Sequence, residues 1–117
     1  MPVSAGLGLD AVAVLLFAAA GRLSHEEGWS VAGVLLTAWP FLVGAALGWV
    51  VVRLRSARWP LAVGPGIPVL VCSVVVGMAL RAATGLGTAP AFVAVTTVVL
   101  ALLLLGWRAV AAKRSAP

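Results

Sequence analysis

In the stretch "LDAVAVLLFAAAGRLSH", residues 9–25, Asp10 and Arg22 flank eleven consecutive apolar or small residues, 11–21. An acid beside so apolar a run has two chemistries open to it. If the helix crosses a membrane, an ionised carboxylate at mid-depth costs about 2.5–3.5 kcal/mol on insertion scales, so it faces a bundle interior, a partner or water, where it can couple protons or bind a cation. It can also act structurally, capping the helix start or pairing with an arginine, and this is the preferred role. At 100° per residue, Val14, Phe17, Gly21 and His25 fall within about 60° of Asp10, so that face points inward. Arg53 and Arg108 on one side, and Arg81 on the other, each lie about 10 Å from its depth on helix rise alone. Tilt and long side chains close such gaps.

A second polar cluster, "GRLSHEEG" at residues 21–28, holds the only histidine and two of the three acids. Arg22, Ser24, His25, Glu26 and Glu27 gather there, and Arg81 and Thr84 are expected at the same membrane face. Arg81 precedes the end of its apolar run, so it should reach for Glu26 or Glu27. His25, Glu26 and Glu27 are consecutive and cannot converge from one helix face, and one Cys and no second His remain to complete a metal site. His25 could titrate as a pH sensor, though a loop histidine is ordinarily just solvated. Nothing matches a phosphate loop, a catalytic triad or a paired-carboxylate site. No catalytic residue, metal or cofactor is therefore expected, and the chain is read as a non-enzyme.

The elements that must position these groups follow from composition. Of 117 residues, 63% are hydrophobic and 9% charged, with a mean hydropathy of +1.18, against roughly 45–50% and about 25% in soluble domains. A water-soluble globule of this size buries only about two-thirds of its chain's surface, so the solvent must be lipid. The net charge of +5 comes from eight cations and three acids. The cations stand at segment ends rather than along one face, the pattern of membrane flanks, which argues against nucleic acid as a partner. Cys72, alone, excludes an internal disulfide. The N-terminus lacks a basic leader, so it is expected to be retained.

A crossing helix needs about 20 apolar residues. Residues 31–52, 66–84 and 88–108 supply such runs, with Pro60, Pro65 and Pro68 in the loop and first turn of the middle one. Residues 3–22 form the fourth, since their apolar residues run all round the helix, unlike those of an interfacial helix. The predicted architecture is an all-α, integral membrane four-helix bundle occupying residues 1–112, followed by a polar tail at 113–117. Arg53, Arg55, Arg58, Arg108, Lys113 and Arg114 share one side, against Arg22 and Arg81 on the other. The positive-inside rule then puts both termini in the cytoplasm of a bacterial plasma membrane.

Gly33, Thr37, Gly44 and Gly48 form a small-residue stripe on the second span that suits close helix packing, within the chain or against a neighbour. Pro40 should kink that span. "GWVVVRLR" at Gly48 loosely matches "GWRAVAAKR" at Gly106, and Arg22 with Gly28 is echoed by Arg81 with Gly87. Two parallel two-helix repeats would explain this, but these residue types are common in any span and chance is the preferred account. Thr96 and Thr97 are expected to bond back to their own helix.

Asp10, Phe17, Gly21, Arg22, Ser24 and His25, with "AWPF" at 38–41 and "GWRAVA" at 106–111, resemble the membrane-protein family called domain of unknown function 3054. The likeness covers residues 10–112. It implies a small four-span inner-membrane protein, found largely in actinobacteria, and no activity. Small multidrug-resistance transporters share the size, the four spans and one acid in the first span; their aromatic pattern in later spans is missing here. Two functions are thus expected as alternatives: a proton- or ion-coupled transporter component using Asp10, or a structural or accessory subunit docking a partner through the GxxxG face. Besides lipid, the expected partner is a second copy or another membrane protein.

Overall fold

The computed structural model describes residues 1–24 and 30–115, with the side chains of Leu23 and Ser24 also left aside. The described residues form four helices and no strand: α1 Val3–Ser24, α2 Val31–Ser56, α3 Val63–Ala83 and α4 Pro90–Ser115. Each is long and apolar enough to cross a membrane. The bundle measures 45 × 26 × 24 Å, its long axis matching the roughly 40–45 Å of a bilayer with its headgroups. The chain is a multi-pass membrane protein.

Backbone neighbours run round a square in chain order: α1 packs on α2, α2 on α3, α3 on α4, and α4 returns to α1. Burial on α1 falls on Gly6, Asp10, Ala13, Val14, Phe17 and Ala18, the spacing of one helical face. The outer faces carry Leu16, Leu36, Leu54, Val75 and Leu102, each more than half exposed. In water that surface would drive aggregation; in lipid it is the solvated side.

The three phenylalanines meet in the core. Phe17 of α1 lies edge-on to Phe41 of α2 at 5.3 Å, and Phe92 of α4 stands 6.3 and 6.4 Å from them. Phe41 in turn fits into the notch left by Gly77 of α3. Aromatic pairs at such separations add about 0.5–1.5 kcal/mol beyond their burial. The tightest seam joins α2 and α3. A Cβ at Gly44 would lie 2.6 Å from the Cys72 carbonyl oxygen, and one at Gly48 would lie 2.7 Å from Val69 Cα. Ser73 fastens the seam by donating its hydroxyl to the Phe41 carbonyl at 2.9 Å.

Several boundaries differ from expectation. Helix α4 continues through Ser115, absorbing most of the expected tail, because the added turns are alanine-rich and Lys113 and Arg114 complement the negative helix end. Helix α2 runs on to Ser56 and closes on Ala57, which takes a left-handed φ of 57° and returns its N–H to the Arg53 carbonyl. Helix α3 starts at Val63, with Pro65 in its first turn, where a missing N–H is harmless. Pro40 lies within a helix that continues past it. Thr97 bonds back to Val93, as expected, but the buried Thr96 hydroxyl has no hydrogen-bond partner among the described residues.

Candidate functional site

Asp10 lies two turns inside α1, so it is not a helix cap. It is 3% exposed, and Arg108 of α4 is wholly buried beside it. The two meet in a two-pronged bridge: Arg108 Nη1 donates to Oδ1 and Nη2 to Oδ2, both at 2.7 Å. The indoles complete the shell. Trp107 Nε1 donates to Oδ1 at 2.8 Å and Trp49 Nε1 to Oδ2 at 2.7 Å. Two oxygens thereby accept four hydrogen bonds, which fills the capacity of an ionised carboxylate.

The guanidinium is equally complete. Its Nε donates to the Pro60 carbonyl at 3.0 Å, Nη2 to the same oxygen at 2.8 Å, and Nη1 to the Leu104 carbonyl at 2.8 Å. With the two bonds to Asp10, all five N–H groups are engaged. Pro60 suits its buried place in the α2–α3 connection because proline brings a carbonyl acceptor and no N–H to satisfy. Gly66 of α3 makes the room: a Cβ there would lie 2.6 Å from Arg108 Cδ. Every helix and one loop therefore contribute to a single dry ion pair.

A buried pair of this kind costs several kcal/mol in desolvation per ion and holds only with good geometry and its remaining hydrogen-bonding positions filled. Both conditions are met. An apolar groove of about 270 Å³ between α1 and α2 reaches Asp10 past Leu7, Ala11, Leu42, Ala45, Ala46 and Trp49. Its only polar groups, the carboxylate and the Trp49 N–H, are already bonded to each other. A water there would lack the two or more polar partners that hold buried water.

Arg108 closes the gap that helix rise alone left between it and Asp10, whereas Arg53 turns to its own helix end, donating to the Ala57 carbonyl and lying 5.0 Å over the Trp59 ring. Tryptophan near a span end ordinarily sits in the headgroup belt; the indoles of Trp49 and Trp107 instead turn inward to the acid. The one signal pointing to them was the repeated Gly-Trp pair. Pro60 and Gly66 gave none, since their part is set by the partner's position.

The other predicted residues divide. Gly44 and Gly48 pack on α3 of the same chain, which occupies the GxxxG face. Gly33, expected on that seam, instead abuts the Arg22 guanidinium of α1. Thr37, Arg22 and Arg81 line a cavity at the end of the bundle far from Asp10. Thr84 does not join them, as its hydroxyl turns back to the Leu80 and Arg81 carbonyls of its own helix end. His25, Glu26, Glu27 and the Ser24 side chain lie outside the described residues.

Comparison with curated proteins and with solved structures gives no match. The family model described as protein of unknown function (DUF3054) matches residues 7–111, a stretch that contains Asp10, Trp49, Pro60, Trp107 and Arg108. The chain belongs to the DUF3054 family.

Proposed function

We propose that this protein is a non-enzymatic structural or accessory subunit of a bacterial plasma membrane, with both termini cytoplasmic and Asp10 serving as an internal tie. The observation that carries this reading is the filled shell of Asp10: four donors on two oxygens leave no lone pair for a transported proton or cation. A coupling carboxylate must exchange its ligand in each cycle, and here that exchange would strand the Arg108 charge in a dry site at several kcal/mol. Because α3 covers Gly44 and Gly48, a second copy or another membrane protein would dock through the lipid-facing side chains rather than through the GxxxG stripe.

The test is flux in sealed vesicles. Wild-type protein and Asp10→Asn are reconstituted with a trapped pH indicator and, separately, with sodium and potassium indicators. The expected result is no flux that depends on Asp10 in any arm. A proton or cation flux in the wild type that disappears in a folded Asp10→Asn would overturn the reading and favour coupled transport.

A further inference from the structure

The end of the bundle far from Asp10 holds a cavity of about 240 Å³ to which all four helices contribute. Arg22 closes α1, Thr37 stands on α2, Arg81 closes α3, and Phe92 of α4 with Phe17 of α1 supplies apolar wall. The two arginines are far apart in sequence, and both are placed by specific packing. Arg22 lies on α2 where Gly33 has no side chain. Arg81 donates its Nε to the Gly87 carbonyl at 2.9 Å and lies 4.4 Å over the Phe92 ring. Thr37, like the buried Thr96, does not return its hydroxyl to its own helix. Thr84 and Thr97 return their hydroxyls to carbonyls of their own helices, as threonine in a helix commonly does. The Thr37 hydroxyl makes no hydrogen bond among the described residues.

Two guanidiniums, a hydroxyl with unused bonding capacity and a phenyl wall at one cavity form a recognition set for an oxyanion. We infer that this cavity binds a phosphate group, carried on a lipid headgroup or as a small free phosphate, through Arg22, Arg81 and Thr37. Both arginines have interactions of their own, so the oxyanion shares their donors, and binding is salt-sensitive and moderate rather than tight. The inference is independent of the role given to Asp10, which lies at the opposite end.

The test is titration calorimetry on the full-length protein in a neutral maltoside detergent, which carries no phosphate. The probes are inorganic phosphate, dihexanoyl phosphatidic acid below its micelle concentration, and dihexanoylglycerol as the phosphate-free control. The expected result is saturable binding of at least one phosphate-bearing probe and none of the control. Arg22→Gln and Arg81→Gln should each weaken binding about tenfold, and the near-isosteric Thr37→Val about threefold. Binding of the lipid probe alone assigns the source to a headgroup; comparable binding of inorganic phosphate assigns it to a free solute. Absence of binding by either probe, or an affinity unchanged in all three variants, overturns the inference. Should the glutamine variants lose their helical circular dichroism, Arg22→Lys and Thr37→Val decide, since lysine keeps the charge and loses the planar fork. Both are then expected to bind several-fold more weakly, and unchanged affinity in both overturns the inference.

Discussion

The indoles of Trp49 and Trp107, each the second residue of a Gly-Trp pair and each on a different helix, donate to opposite oxygens of the same carboxylate, that of Asp10. The acid is thus held by three side chains from two helices, with Arg108 supplying the charge. Trp49 and Trp107 lie 58 positions apart in the chain, and only the return of α4 to α1 brings them to one point. An acid that would be costly on a lone helix in lipid becomes the place where the bundle is tied together.

Breaking one half of the ion pair should cost far more than replacing both. Asp10→Leu or Arg108→Met alone is expected to destabilise the bundle by about 3–5 kcal/mol, each leaving a buried group uncompensated. The double variant Asp10→Leu/Arg108→Met should recover much of that loss, although the Trp49 and Trp107 N–H groups then go without an acceptor. Unfolding in mixed micelles of rising dodecyl sulfate fraction gives the four stabilities of the cycle. Purely additive losses would rule out the coupling described here.

Trp49→Phe and Trp107→Phe should each lower stability by about 1.5–3 kcal/mol, the range for a hydrogen bond to a charged group. Trp59→Phe, at an exposed ring that lies 6.0 Å from Trp49 at a tilt of 39°, should cost less, since its loss leaves Asp10 fully bonded. The same unfolding assay ranks the three, and an equal effect for all of them would contradict the assigned roles.

Helix α3 meets Gly44 and Gly48 through backbone atoms, which cannot rotate out of the way of a new side chain. Gly48→Ala is therefore expected to destabilise by about 1–3 kcal/mol through overpacking, and Gly44→Leu to cost more. Gly106→Ala, where an added Cβ meets nothing within 4 Å, should leave stability unchanged or raise it slightly through better helix propensity. Heating in detergent, followed by size-exclusion recovery of the folded protein, separates the two classes.

Much of this molecule is legible before folding. The apolar runs, their lengths and the scarcity of charge require four membrane-crossing helices, because no aqueous core of this size could hide so much hydrocarbon. The inward face of α1 also follows from sequence, since helical periodicity alone groups Asp10 with the buried Val14 and Phe17. Periodicity says nothing about which of several arginines an acid meets. Arg53, Arg81 and Arg108 were comparable on helix rise, and the choice of Arg108 depends on α4 packing against α1, on the gap at Gly66 and on the Pro60 carbonyl arriving from a loop. The small-residue stripe shows the same division: its spacing announces a close contact, while the identity of α3 as the partner at Gly44 and Gly48, and of Arg22 at Gly33, is a property of the assembled square. Local sequence sets the kind of surface each helix presents; long-range packing in lipid, where backbone polar groups are already satisfied, decides which surfaces meet.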